Sequence, residues 1–301
     1  MIKVGYVNFW KEEGEYWLTK YIRHNFGPTQ EVHPLSNPDI LLASVFGPII
    51  NVLKTKAKCK IFYTGENLKN YPHYDNDELL SRVFDLTIGF KRDDHSLRRI
   101  RVPLWIMYYD YYDFKENNNL MSYLEEKRAQ NSSNKTLLAS LVASHDSLAG
   151  HRSPMVNEVN TYGKVICPGR FGNNHPPIGN TVADKIRFIS TSKINICPEN
   201  SSGEGYITEK IFQALEGGTV PLYWAGEEPE PGILNPASYC FCDGKNPSDL
   251  KNKVQYLMKN IDSFVEAPMF SENAGMILSN LYENLRISIG ALIKLREIEA
   301  S

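Results

Sequence analysis

Short apolar runs alternate along the chain with stretches whose apolar residues recur every three or four positions, which predicts repeating strand and helix units. Residues 3–10 alternate as a strand, and 12–26 carry helical spacing through Tyr16, Trp17, Lys20 and Ile22. The unbroken apolar run at 40–45 predicts a strand buried on both faces. Further strands are predicted at 60–64, opening into Gly65, Glu66 and Asn67, at 86–90 and at 102–107. Residues 108–134, rich in Tyr, Asn, Lys and Glu, read as a surface connection with a helical patch at 121–127. The pattern restarts with a strand at 136–144, helix-compatible residues from Arg152 to Tyr162, a strand at 165–166 and a Gly-, Pro- and Asn-rich surface loop. A helix follows at 183–191, and then the most informative stretch, 193–226, KINICPENSSGEGYITEKIFQALEGGTVPLYWAG.

In that stretch Ile194 and Ile196 alternate as a strand and a turn-rich loop follows. Ile207, Ile211, Phe212, Ala214 and Leu215 then take helical spacing, Gly217 and Gly218 supply a stop, and 220–224 is a second strand. Lys210 falls in the first turn of the helix, where it opposes the positive end of the dipole unless an anion lies nearby. With the Asn200 amide and the Ser201 and Ser202 hydroxyls in the loop after Glu199, a phosphate cradle with the backbone N–H groups of the helix start is one reading. A solvated lysine beside a turn asparagine is the other, since no glycine-rich dinucleotide or P-loop pattern is present. Downstream, a short strand at 239–242 and a helix at 247–259 precede a long helix at 274–298. Its apolar stripe of Leu278, Leu281, Tyr282, Leu285, Ile289, Leu292 and Ile293 must be buried.

A length of 301 residues suits two α/β domains with a cleft between them. The net charge of −2 argues against a nucleic-acid surface as the main business of the chain. Five cysteines, odd in number and without a CxxC pair, suggest reduced packed thiols rather than a disulfide framework or a zinc site. Asp110 and Asp113, with no supporting histidine, read as solvated loop carboxylates rather than a metal pair. The N-terminus has no signal-peptide core and no apolar run is long enough to span a bilayer, so the cytoplasm is expected, with membrane contact at most peripheral. Glu66, just past a predicted strand, stands where open sheets place ligands, although loop carboxylates are common.

The runs Glu199-Asn200-Ser201, Tyr206-x-Thr208-Glu209-Lys210 and Val220-Pro221 with Gly226 resemble the signature of the α1,3/4-fucosyltransferases, glycosyltransferase family 10, in its bacterial form. DILLASVFG, IFYTGEN and RVPLW agree with that family's upstream segments in order and spacing. The resemblance implies a GT-B fold: two Rossmann-like domains whose parallel sheets face across a cleft. They would divide into an acceptor-binding domain at 1–133, a GDP-fucose-binding domain at 134–270 and a C-terminal helix at 271–301 packing across both. It implies inverting transfer of L-fucose from GDP-fucose to a GlcNAc hydroxyl of an N-acetyllactosamine-type oligosaccharide or polysaccharide, α1,3 rather than α1,4, as in Lewis antigens. Glu66 would be the general base. Lys210 and Arg152 would hold the diphosphate, with Arg170 the alternative arginine, Glu209 the ribose hydroxyls, and Asn200 and Tyr206 the donor near its phosphates. Fixed cations would do the work of a divalent metal, so no cofactor or metal is expected. A GT-B enzyme using another nucleotide sugar and a nonenzymatic glycan-binding module are the competing readings.

Overall fold

A computed structural model describes residues 1–10, 15–92, 98–114, 119–146, 150–242 and 247–300, with only the backbone at 247 and 295–300. The beginning of the helix predicted at 12–26 lies outside the described residues. The chain divides into two compact units, Met1–Lys115 with Leu278–Ser301, and Glu116–Ile277. Each is built on an all-parallel sheet.

The first unit holds β1 (Ile2–Val7), α1 (Trp17–Phe26), β2 (Thr29–Glu31), β3 (Ile40–Ala43), α2 (Ile49–Leu53), β4 (Cys59–Tyr63), α3 (Asp77–Val83), β5 (Leu86–Gly89) and β6 (Arg99–Arg101). Its strands lie in the order β2-β1-β3-β4-β5-β6. All four residues of β3 are buried, as an unbroken apolar run between two layers requires. The strand predicted at 102–107 is instead a 3-10 helix, Leu104–Tyr108. Val102 N–H makes one more bond, 3.1 Å to the Gly89 carbonyl, and Pro103 then has no N–H with which to continue the ladder.

The second unit holds α4 (Leu120–Asn131), β7 (Leu137–Ser140), α5 (Arg152–Asn160), β8 (Val165–Ile166), α6 (Val182–Ile189), β9 (Ser192–Ile196), α7 (Glu209–Glu216), β10 (Val220–Trp224), β11 (Cys240–Cys242), α8 (Pro247–Lys259) and α9 (Ile261–Glu266). Its strand order is β11-β10-β9-β7-β8. Helix α10 (Ala274–Ala300) follows, and from Leu278 onward it belongs with the first unit. There its stripe is buried at Leu278, Tyr282, Leu285 and Ile289, and the Tyr21 hydroxyl donates to the Tyr282 carbonyl at 2.9 Å.

Segment 108–134 is more than a surface connection, because α4 packs on α7. Leu124 is fully buried, Tyr123 Oη and Glu216 Oε1 are 3.2 Å apart, and Asn131 Nδ2 donates to the Glu216 carbonyl at 2.9 Å. Gly218 ends α7 at φ 64°, and a Cβ there would lie 2.5 Å from the Asn131 backbone, so only glycine fits. Arg128, also on α4, is buried and donates to the carbonyls of Phe264 at 2.8 Å, Val265 at 3.3 Å and Ala267 at 2.6 Å, around the C-terminal end of α9. Arg128→Met is expected to cost about 3 kcal/mol, since several buried acceptors lose a charged donor together. A urea melt reads this as a lowered midpoint, and an unchanged midpoint would mean that α9 is held by other contacts.

In both units the first strand is followed by one on its outer side and then by one on its inner side. Chain order therefore reverses between β1 and β3 and between β7 and β9. Open α/β sheets bind ligands at the carboxyl ends of the strands flanking such a reversal.

Candidate functional site

At the reversal in the second unit, Asn195 of β9 ties the two strands together, its Nδ2 donating to the Ser140 carbonyl at 3.2 Å and to Ser140 Oγ at 3.1 Å. Beyond β7 the chain enters α5, whose first residue is Arg152. Asp146 accepts from Arg152 N–H at 3.0 Å and from Ser153 Oγ at 2.7 Å, supplying the helix end that His151 leaves uncapped. The His151 ring stacks on Trp224 at 3.6 Å, and burial lowers its pKa against the pull of Asp146.

Beyond β9 the loop turns on Glu199, which the sequence motif contains but which local spacing gives no role. Its side chain is fully buried and accepts from the Thr208 backbone at 2.8 Å, the Tyr223 hydroxyl at 2.8 Å, the Thr208 hydroxyl at 2.7 Å and Lys210 Nζ at 2.9 Å. The Thr208 hydroxyl, turned to Glu199, does not cap α7, and the Glu209 carboxyl instead accepts from its own backbone N–H. Lys210 is thus not a solvated lysine: its ammonium also reaches Thr208 Oγ1 at 2.7 Å and lies 3.8 Å from Glu209. Burial acts to lower its pKa, but Glu199 and Glu209 overcome this and hold it well above the ordinary lysine value. The anion that a lysine in a first turn calls for is supplied from within the chain.

A third cation comes from α6. Lys185 lies 3.8 Å from Glu209, and burial lowers its pKa. Sequence reasoning passed over it because Lys185 sits between Asp184 and Arg187 and reads as part of a solvated face. Burial acts to raise the Glu209 pKa, but Lys210 and Lys185 outweigh it and keep the carboxyl below its ordinary value of 4.5. Its ionisation therefore contributes stability that is fully present above pH 4.5 and is lost as pH falls through the depressed value. Glu209→Gln is expected to lower the melting temperature at pH 7 and to flatten its fall below pH 4.5. An acid limb as steep as in the unaltered protein would assign that limb to other carboxyls.

Arg152 completes the cluster, and Arg170 does not: Arg170 is exposed in the loop after β8. Arg152 is buried and donates through Nη2 to Asn200 Oδ1 at 2.6 Å and through Nη1 to the His145 carbonyl. Burial lowers its pKa, opposed by Asp146 and Glu199. Its Nε, also buried, has no partner among the described residues. Arg152, Lys185 and Lys210 line one small cavity with Asn195 and Pro198. Tyr206 is buried in the loop and its phenol is among the groups that act on Lys210. Five of the expected residues, Arg152, Asn200, Tyr206, Glu209 and Lys210, therefore belong to the second unit and share one neighbourhood. A cavity lined by three cations can take an anion, although Glu199 and Glu209 already balance the two lysines.

Glu66 is placed in the first unit, just past β4, where Thr64 Oγ1 accepts from its N–H at 2.9 Å. Gly65 admits the Leu104 side chain so closely that a Cβ would meet Cδ1 at 2.8 Å. Glu66 is half-buried on the wall of a cavity of about 440 Å³ with Phe9, Trp10, Phe46 and Tyr63. Among the described residues no group of three His, Cys, Asp or Glu side chains converges as a metal site would, and no helix is long and apolar enough to cross a membrane.

Two family models divide the chain much as the two sheets do. The Alpha-(1,3)-fucosyltransferase FucT N-terminal domain matches residues 4–108, and Glycosyltransferase family 10 (fucosyltransferase) C-term matches residues 130–271. The chain belongs to glycosyltransferase family 10. Within that family it is 27% identical to the alpha-(1,3)-fucosyltransferase FucT of Helicobacter pylori over 94% of this chain, and it spans 63% of the length of that relative. A putative fucosyltransferase of Acanthamoeba polyphaga mimivirus is also 27% identical, over 50% of this chain and 27% of its own length. Among solved structures, an α1,3-fucosyltransferase superposes with a TM-score of 0.69 at 22% identity, covering 97% of this chain and 90% of that one. An α1,3-fucosyltransferase with GDP-fucose gives 0.66 at 21% identity, over 95% and 90%. The fold is thus α/β with two parallel sheets, of the GT-B kind.

Proposed function

We propose that this family 10 chain is an inverting α1,3-fucosyltransferase that moves L-fucose from GDP-fucose to a GlcNAc hydroxyl of an N-acetyllactosamine-type glycan. The observation that carries the donor half is the cluster of buried Arg152 with the partly buried Lys185 and Lys210 at the strand reversal, Arg152 Nε lacking a partner among the described residues. A diphosphate offers the charge and the oxygens that such a cluster takes. Lys210 uses two of its three N–H bonds, on Glu199 and Thr208, and keeps one for a phosphate oxygen. Glu209, ionised and fixed between Lys210 and Lys185, is suited to accept from the ribose hydroxyls.

GDP is β-linked in the donor and fucose α-linked in the product, so a single displacement inverts the anomeric carbon. Glu66 takes the proton of the acceptor hydroxyl as its oxygen bonds to that carbon, which requires a heavy-atom distance of about 2.6–3.2 Å in the reacting complex. The bond from the anomeric carbon to the β-phosphate oxygen breaks, and its electron pair leaves with GDP. Arg152 and Lys210 stabilise that growing charge. The first unit then serves the acceptor and the second the donor.

Incubation with GDP-fucose and a glycan array, with the linkage fixed by NMR, tests the reaction. Thermal stabilisation by a nucleotide panel tests the donor: GDP is expected to raise the melting temperature and UDP is not. Stabilisation by UDP alone would move the chain to another nucleotide sugar, and none by either would leave a glycan-binding module.

A further inference from the structure

The cavity beside Glu66 lies at the other strand reversal, between β1 and β3, and is formed wholly by the first unit. Phe9 and Trp10 follow β1, Phe46 follows β3, and Tyr63 ends β4. Phe9 and Trp10 stack at 4.4 Å, and Trp10 meets Phe46 edge-on at 6.2 Å and Tyr63 at 5.6 Å. The Tyr16 hydroxyl donates to the Trp10 carbonyl at 2.5 Å and fixes the backbone of the wall. Phe46 nevertheless remains 45% exposed, so an apolar ring faces open space at the place where open sheets take their ligands.

Among the described residues the charged lining is mostly negative. Glu15, Glu66 and Asp110 supply three carboxylates and Lys20 the one cation among the described lining residues. Lys20 is held by Asp110 at 2.8 Å, and Glu15 pairs at 2.5 Å with Arg23, which is not among the lining residues. Ionised carboxylates only accept hydrogen bonds, and sugar hydroxyls donate them. The C–H face of a pyranose carries weakly positive hydrogens that suit the negative face of an aromatic ring.

We propose that this aromatic cavity, on the acceptor side of the reaction, selects a neutral pyranose over a carboxylate-bearing one. The inference rests on the fucosyltransferase reading and deepens it. Phe46 and Trp10 hold the apolar face of the sugar, the carboxylates take its hydroxyls, and a sugar acid adds a like charge where Lys20 is already engaged. Like-charge juxtaposition is a strong discriminator.

The probes are N-acetyllactosamine and its analogue with the galactose C6 oxidised to a carboxylate. The neutral disaccharide is expected to have the higher kcat/KM, by about tenfold or more. Phe46→Ala is expected to raise its KM about fivefold, the scale of one aromatic contact, with GDP affinity unchanged. Asp110→Asn frees Lys20 and is expected to narrow the neutral-to-acid ratio about two- to fivefold, as one exposed ion pair would. Saturation-transfer NMR without donor separates this inference from the activity. Contact with N-acetyllactosamine that Phe46→Ala abolishes supports the subsite even where no fucose is transferred. Fucose transfer with equal use of both probes, or with a KM that Phe46→Ala does not move, overturns the subsite and leaves the activity standing.

Discussion

Glu66→Ala is expected to lower kcat with GDP-fucose about 10³-fold, inside the range of about 10²–10⁴ that a positioned base contributes. GDP affinity is expected to stay within about twofold, a margin smaller than ~0.5 kcal/mol. The two expectations separate because Glu66 belongs to the first unit and the cation cluster to the second. The backbone at Glu66 is fixed by Thr64 Oγ1, and Gly65 is closed against Leu104, so the substitution removes a carboxylate from a wall that the rest of the loop maintains. Glu66→Gln keeps the shape and removes only the basicity; it is expected to match the alanine variant in kcat. Turnover by the glutamine variant at the original rate would require another base, and a collapse of GDP binding would place Glu66 with the donor or the fold.

Much of this was legible in the chain because parallel strands buried on both faces leave continuous apolar runs, as β3 and β10 do. Some elements with neither such a run nor a clear period leave no signal in the sequence. β2 is Thr29, Gln30 and Glu31, a polar edge strand recognisable only through its pairing with β1, and α2 and α3 are too short to show a period. The reading of 102–107 as a strand followed its apolar content and missed what Pro103 removes. The site divides the same way. Asn200, Tyr206, Glu209 and Lys210 lie within a few residues of one another, and the motif carried them. Glu199 stood in the same motif, but that its carboxylate is the buried hub of Thr208, Lys210 and Tyr223 depends on β10 lying beside β9. Lys185 had no local signal, since its neighbours on α6 are charged and its partner Glu209 is on another helix. The aromatic wall did leave a trace, in Phe9, Trp10, Phe46 and Tyr63 clustered at or just past three strand ends, yet single aromatics at strand ends are too common to be read one by one.

Lys210→Ala is expected to raise the Kd for GDP about 100-fold and to slow the chemical step as well, because the same ammonium would meet the phosphate in the ground state and the larger charge on it in the transition state. A second effect comes from Glu199. With Lys210 gone, a fully buried carboxylate keeps only neutral donors, Tyr223, Thr208 and a backbone N–H, and the fold is expected to lose about 3 kcal/mol. Binding and folding losses would be confused in that variant alone. Lys210→Met combined with Glu199→Gln separates them: the amide retains acceptor capacity without a charge to strand, so much of the melting temperature is expected to return while GDP affinity stays low. If GDP affinity returned together with stability, Lys210 would be a structural partner of Glu199 and the phosphate would be held by Arg152 and Lys185. If the single variant bound GDP as tightly as the unaltered protein, the cluster would not be a diphosphate site. The buried pair thus has two roles in the fucosyltransferase reading: Glu199 fixes the position of the ammonium before the donor arrives, and the donor then meets a charge that needs no reorganisation.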